Sequence, residues 1–176
     1  SVMLVVGIAV KLDSPGPLLF RQTRIGRGGK PFRLAKFRSM VNDAEAQREE
    51  LLALSRQKEW LDLEHDPRIT RVGRFLRLTS LDELPQLWSV LRGNMSLVGP
   101  RPLVAQEDCN VSGWARGRLD LTPGLTGMWQ VLGRTHIPFE QMVMLDYLYV
   151  ANWSLWTDVK LILRTLPTVV ARKGAN

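Results

Sequence analysis

The sequence predicts an α/β domain, mostly helical, with a short β-hairpin and small strands. Two patterns carry that prediction. Extended runs from Leu18 to Arg24 and from Phe32 to Arg38 flank Gly26-Arg27-Gly28-Gly29, as in a hairpin. Elsewhere apolar residues recur at three- and four-residue spacing, most clearly in the C-terminal third. A chain of 176 residues suits one domain with a substantial core, and no internal repeat or low-complexity tract divides it.

Taken in order, the first element is the uncharged apolar run Val2 to Val10, closed by Lys11 and the breaker Asp13-Ser14-Pro15-Gly16-Pro17. It is too short to cross a hydrocarbon core, which needs about 20 helical residues. A core helix is the ordinary reading, and half of a longer membrane segment is the alternative. The hairpin follows. Its glycines do not make a Walker phosphate loop, because Pro31 follows Gly29-Lys30 where Ser or Thr is required and Arg24 stands in place of the first glycine. Asn42 is expected to cap a helix reaching about Trp60, with Asp43 and Glu45 in its first turn. A helix over Arg71 to Leu78 would carry Val72, Phe75 and Leu76 on one stripe and Arg71, Arg74 and Arg77 on another.

Pro85 lacks an N–H, so the next helix, with Leu84, Leu87, Trp88 and Leu91, must hold it within the first turn. Gly93-Asn94 reads as a turn and Met95 to Val98 as a short strand. Pro100 and Pro102 hold Arg101 extended. Thr122-Pro123-Gly124 reads as a turn, and Met128 to Leu132 as an extended run leading to Gly133-Arg134. Pro138 opens a helix with Met142, Leu145 and Tyr149. The last helix runs from Ser154 to about Val170, with Pro167 expected to kink or end it. Trp153, Leu155, Trp156, Val159, Ile162, Leu163 and Leu166 form a broad apolar surface flanked by Lys160 and Arg164. Core packing is the default for such a surface, and an interfacial helix in the headgroup plane competes with it.

The net charge is +7, and its distribution is uneven. Arg21, Arg24, Arg27, Lys30, Arg33, Lys36 and Arg38 form a run with no acidic residue between them. Such a run fits nucleic acid, anionic lipid or a nucleotide, and most commonly is a solvated basic face. The single Cys109 excludes an internal disulfide framework, suits a reducing compartment and is expected to be buried as a small hydrophobe. His65 and His136 sit in unrelated contexts, so neither a Ser-His-Asp arrangement nor an ordinary zinc site is expected.

The chemistry-bearing feature is the adjacent pair Asp82 and Glu83, placed by Pro85 at a helix N-terminus that favours negative charge. A capping box of Ser80 with Glu83, or Asp82 as the cap, is the structural alternative. Carboxylates point to a hard ion such as Mg²⁺ held jointly with phosphates. A proline-fixed Arg101 suits bidentate phosphate binding.

Four motifs then occur together and in one order: Lys36-Phe37-Arg38-Ser39-Met40, Leu81-Asp82-Glu83-Leu84-Pro85-Gln86-Leu87, Leu97-Val98-Gly99-Pro100-Arg101-Pro102 and Leu121-Thr122-Pro123-Gly124-Leu125-Thr126-Gly127. In this the chain resembles the bacterial sugar transferases, and specifically the catalytic domain of a monotopic polyprenyl-phosphate phosphoglycosyl transferase. The similarity extends from Val2 through the helix of Trp153 to Arg164.

The resemblance implies transfer of a sugar 1-phosphate from a nucleotide diphosphate sugar, UDP-glucose or UDP-galactose first, to polyprenyl (undecaprenyl) phosphate, which initiates glycoconjugate or exopolysaccharide synthesis. It implies Asp82 as nucleophile, forming an aspartyl-phosphosugar, and Glu83 as the Mg²⁺ ligand; the helix terminus alone does not say which carboxylate attacks. Arg101, Arg134 and Lys36 are the residues expected to bind substrate phosphate. The family also carries aspartates matching Asp146 and Asp158, both read as structural, each with a buried salt bridge.

The resemblance further implies a re-entrant membrane helix broken by Ser-Pro. Ser1 stands where the proline is expected, so residues 1–12 would be the remaining part of that helix and 13–176 the catalytic domain. The expected location is the cytoplasmic face of a bacterial inner membrane. Expected partners are nucleotide sugar, polyprenyl phosphate and membrane lipids, with a homo-oligomer allowed and nucleic acid not expected. A basic membrane- or nucleic-acid-binding module without catalysis is the alternative; nucleic-acid binding would leave Asp82, Glu83 and Pro100-Arg101-Pro102 without a role.

Overall fold

The computed structural model describes residues 1–55, 63, 65–132 and 137–170, with side chains to residue 165. Arg134, His136 and the expected end of the helix at Trp60 lie outside the described residues. The described architecture is helical with two small two-stranded sheets.

The N-terminal run forms α1 (Val2–Asp13), which buries Val6, Gly7 and Val10 and leaves Val2, Leu4, Val5, Ile8 and Leu12 exposed. The breaker after it folds around Arg38. The Arg38 guanidinium donates to the carbonyls of Pro15 and Ser14, each at 2.6 Å, and to that of Val10 at 3.4 Å. A cation at a helix C-terminus satisfies carbonyls that have no partner within the helix.

The hairpin forms as expected, with β1 (Leu19–Ile25) antiparallel to β2 (Pro31–Phe37) and Phe20 opposite Lys36. Strand alternation sends Arg21, Thr23 and Arg33 outward, while Phe20, Gln22, Arg24, Leu34 and Lys36 share the half-buried to buried face. The basic run is therefore not one patch. Arg38 is 5% exposed and structural, Arg24 and Lys36 face inward, and Arg21 and Arg33 face solvent.

After β2, residues 42–47 are turns, and the helix expected from Asn42 is in the described residues only α2 (Arg48–Leu52). The Asp43 carboxylate accepts from Gln47 at 2.8 Å, and i to i−3 bonds such as Ala46 N–H to Asp43 C=O replace the α-helical ladder. Next, α3 (Arg71–Thr79) forms as expected, with Thr70 Oγ1 accepting from the Gly73 N–H at 3.0 Å as N-cap. Val72 and Leu76 pack against Val6, Val10 and Phe37, but Phe75 is exposed.

A 3₁₀ turn, Leu81–Gln86, precedes α4 (Leu87–Leu91), and β3 (Ser96–Val98) follows the Gly93 turn. α5 (Ala105–Asp108) and a 3₁₀ segment, Gly113–Leu119, lead to β4 (Gly124–Thr126). Where the sequence suggested only a turn, β4 pairs in parallel with β3, Ser96 opposite Gly124 and Val98 opposite Thr126. The glycines explain it, because a Cβ on Gly124 would collide with the Gly99 amide and one on Gly99 with the Thr122 carbonyl. Only glycine permits so close a backbone approach.

Met128 to Leu132 is not extended but helical, α6 (Met128–Leu132). A short apolar run does not distinguish the two by periodicity. The last helices, α7 (Phe139–Ala151) and α8 (Leu155–Val170), match the expected extents, and Pro167 does not end α8. Ser154 caps α8, its Oγ accepting from the Thr157 N–H at 3.1 Å. The α8 surface is not core: Trp153, Leu155, Trp156, Ile162 and Leu163 are exposed, and Leu161 is the residue it buries with Val98 and Tyr149. Among the described residues no helix is long and apolar enough to cross a membrane. Cys109 is exposed rather than buried, at the end of α5.

Candidate active site

Asp82 and Glu83 lie in the first turn of the 3₁₀ segment, not of a long α-helix. Ser80 creates this geometry. With φ 55° and ψ 18° it ends α3 and begins the turn in one residue, so the chain doubles back on the last turn of α3. Left-handed backbone is costly for a residue with a Cβ, of order 1–3 kcal/mol, and collects at functional sites. Ser80 makes no side-chain cap bond, so the capping-box alternative is not realised. The 3₁₀ segment runs without a break into α4, so the pair sits in the first turn of a continuous helical stretch, whose N-terminus favours negative charge. Side-chain cations add to that positive field.

Those cations come from the hairpin and from α3. β2 packs against the 3₁₀ turn, bringing Lys36 to the pair. Burial pushes the Lys36 ammonium down to about 8; Arg77 and Arg24 push the same way, while Asp82 and Glu83 favour its charged form. Arg77 is lowered chiefly by burial, with Asp82, Asp66 and Glu83 opposing. Its Nη1 is buried and has no hydrogen-bond partner among the described residues. Arg77 was read in the sequence only as part of a basic helix stripe, and its stripe mates Arg71 and Arg74 are indeed exposed. The signal that could have found it is its place immediately before the Ser80 reversal.

Arg24 links this cluster to Arg101. Burial pushes Arg24 down to about 10, with the Arg101 charge the next contributor, and Arg24 in turn acts on Lys36. The segment from Pro100 to Leu103 belongs to no sheet, yet each of its carbonyls has a donor. Pro100 C=O accepts from Gly124 N–H at 2.9 Å and Leu103 C=O from Ile25 N–H at 2.8 Å. Pro102 C=O accepts from Arg24 Nη1 at 3.1 Å, and Arg101 C=O from Arg118 Nη2. Irregular buried backbone is stable only when satisfied in this way. The Arg101 guanidinium lies 4.5 Å from the Trp129 ring centroid, a cation–π contact that directs it.

Lys36, Asp82 and Glu83 are thus brought together, Arg101 joins them through Arg24, and Arg134 lies outside the described residues. Asp146 is the structural residue expected, 1% exposed and 2.7 Å from Arg118. Burial raises its carboxyl, and Arg118 opposes that. Asp158 is held differently. It has no salt bridge among the described residues but accepts from Tyr149 Oη at 2.7 Å and Trp153 Nε1 at 3.3 Å. Burial, and next the Asp158 carboxylate, raise the Tyr149 phenol.

No group of three or more His, Cys, Asp or Glu that could cage a metal occurs among the described residues. The adjacent carboxylates supply hard oxygen donors, which suits Mg²⁺ completed by water and phosphate oxygens and does not suit zinc. What the site can do is therefore bounded: an anionic pair, one member 5% exposed, faces cations that attract phosphate.

The chain belongs to the bacterial sugar transferase family, whose sequence model matches residues 1–172. It is similar to the UDP-galactose-lipid carrier transferase of Erwinia amylovora, 44% identical over 177 residues that cover 98% of this chain and 37% of that protein. It is 47% identical over 165 residues to the undecaprenyl-phosphate galactose phosphotransferase of Salmonella typhimurium, covering 91% of this chain and 35% of that protein. With the UDP-glucose:undecaprenyl-phosphate glucose-1-phosphate transferase of Caulobacter vibrioides it shares 43% identity over 188 residues, 98% of this chain and 64% of the relative. The chain spans little more than a third of the first two of these proteins.

Proposed function

We propose that this domain transfers a sugar 1-phosphate from a UDP-sugar, with glucose or galactose as the sugar, to undecaprenyl phosphate. The observation that carries the reading is the buried Asp82 carboxylate beside Glu83, with Lys36 and Arg77 near enough for the charges to act on one another. The names of the relatives supply the substrate class.

In the first half-reaction an Asp82 carboxylate oxygen attacks the phosphorus that bears the sugar. A new P–O bond to Asp82 forms as the bond to the bridging oxygen breaks, and uridine monophosphate leaves. Arg77, Lys36 and Arg101 hold the phosphate oxygens, orient the phosphorus toward Asp82 and offset the charge moving onto the leaving group. Glu83 would hold Mg²⁺, which supplies charge neutralisation across the diphosphate. In the second half-reaction an oxygen of the lipid phosphate attacks the same phosphorus, the aspartyl bond breaks and the Asp82 carboxylate returns.

The exposed apolar residues of α1 and α8 support docking on a membrane surface, on the cytoplasmic side where UDP-sugars are available. Arg21 and Arg33, on the outer hairpin face, suit anionic lipid headgroups. In this reading α1 is the remaining part of a re-entrant helix.

The test uses the protein in liposomes with UDP-glucose and UDP-galactose, following uridine monophosphate release with and without undecaprenyl phosphate. Trapping with nucleotide sugar alone should give a phosphosugar adduct on the peptide containing Asp82, and Asp82→Asn should abolish it. A folded Asp82→Asn variant that still turns over would refute the assignment.

A further inference from the structure

We propose that Arg118 and Asp146 are positioning residues for Arg101, acting on its backbone so that its guanidinium faces substrate phosphate. The proposal rests on Arg101 being a phosphate ligand. Arg118, in the 3₁₀ segment, and Asp146, on α7, are each 1% exposed, too deep to meet a soluble nucleotide themselves. Their contacts converge on one residue. Asp146 Oδ2 accepts the Arg101 N–H at 3.0 Å and Arg118 Nη2 at 2.7 Å, and Arg118 Nη2 also donates to the Arg101 carbonyl. Both peptide groups of Arg101 are thereby held by one ion pair.

The pair is a poor device for stability alone. Asp146 Oδ1 and Arg118 Nε are buried with no hydrogen-bond partner among the described residues. A buried ion pair left partly unsatisfied tends to cost more than an apolar replacement. What it supplies is direction. Pro100 and Pro102 lack N–H groups, so the Arg101 N–H is the only backbone donor across three residues, and Asp146 captures it. Asp108 Oδ1, 3.9 Å from Arg118 Nη1, steadies the other end of the guanidinium. With the peptide pinned and Trp129 beneath the side chain, the rotamers open to Arg101 are few before substrate arrives.

A double-mutant cycle separates positioning from general support of the fold. Arg118→Lys keeps the charge and loses the planar fork. In otherwise wild-type protein it should lower kcat/KM for UDP-glucose by about 10-fold or more. Placed on Arg101→Ala it should change kcat/KM by less than about 2-fold, because the residue it positions is gone. Asp146→Asn, which conserves volume, should give the same pattern and serves if Arg118→Lys does not fold. Thermal melts and UDP-glucose binding by calorimetry accompany each variant. Equal losses in both backgrounds would overturn the positioning role while leaving Arg101 as a ligand. Wild-type kcat/KM in Arg101→Ala would overturn the phosphate contact itself, and the positioning role with it.

Discussion

Replacing Arg77 by Met should remove most of the activity and little of the stability. Met keeps much of the aliphatic stem packing and deletes only the guanidinium. That group has a buried Nη1 with no partner among the described residues and two acidic neighbours, Asp82 and Glu83, acting on its charge. A charge-assisted hydrogen bond to a phosphate oxygen is worth about 1.5–3 kcal/mol, equivalent to a loss of about 10- to 150-fold in kcat/KM. Asp82 also loses a cation that favours its ionised, nucleophilic form, so the upper part of that range is expected. On the folding side, removing one partner of a buried charge pair costs about 3–5 kcal/mol when the other charge is left uncompensated, but Lys36 still acts on Asp82 and one buried cation fewer is desolvated, so the expected change is about 1 kcal/mol, or roughly 2–4 °C in Tm for a chain of this size. The assay is uridine monophosphate release at several UDP-glucose concentrations beside a thermal melt. Arg77→Lys should fall between, retaining charge without the fork. Activity within 2-fold of wild type would refute the placement of Arg77 at the phosphate, and a melt lowered by 10 °C or more would show that its role is structural.

Chelation should abolish turnover, and Glu83→Gln should raise the Mg²⁺ concentration needed for half-maximal rate; full activity in excess chelator would exclude a metal ligand there. Lys36 should give kcat/KM a basic limb. Its charge is lost as pH rises through about 8, so phosphate binding weakens there, and Lys36→Met should flatten that limb. The stability trend has the opposite sign: between about 8 and the ordinary 10.5 the unfolded chain binds the extra proton, so Lys36 makes the fold more stable as pH rises, measurable as a Lys36→Met difference in Tm against pH. On liposomes, Trp156→Gln with Leu163→Gln should weaken binding at any salt, whereas Arg21→Gln with Arg33→Gln should remove only the anionic-lipid increment that high salt also removes. Unchanged sedimentation of both variants would contradict docking through these surfaces.

What the sequence made legible was local. Asp82, Glu83 and Pro85 lie within one short motif, the hairpin follows from glycines between extended runs, and Pro100 and Pro102 constrain Arg101 directly. What stayed hidden depended on partners distant in the chain or on a backbone reversal that no motif announces. Arg77 looked like Arg71 and Arg74 until the left-handed Ser80 turned the acidic pair back toward it. Arg38 resembled one more charge in a basic run, but three carbonyls of α1 and its breaker claim it. The parallel pairing of β3 and β4 rests on Gly99 meeting Gly124 across a long connection, which no local propensity encodes. Arg118 carried no motif, and its importance arises from Asp146 and Arg101, far from it in sequence.

The hairpin joins the two surfaces that the proposed reaction must bring together. Lys36 and Arg38 are two residues apart on one extended chain, a separation of about 7 Å. Lys36 faces the acidic pair, and Arg38 receives the carbonyl end of α1, whose opposite face is exposed and apolar. The same α1 terminus also reaches α3, where Asp13 Oδ2 accepts the Val72 N–H at 3.2 Å, and α3 carries Arg77 to the site. Both inward cations are thus tied, through short hydrogen-bonded links, to the helix that would lie in the lipid. Val6, Val10, Phe37 and Leu76 fill the space between those links, so tilting α1 without moving β2 or α3 would open a gap in a close-packed cluster. An enzyme that must present a soluble nucleotide sugar to a lipid phosphate needs a fixed height of its site above the membrane. In the proposed docking that height would be set by the buried Arg38 and by one cluster of apolar side chains, Val6, Val10, Phe37 and Leu76.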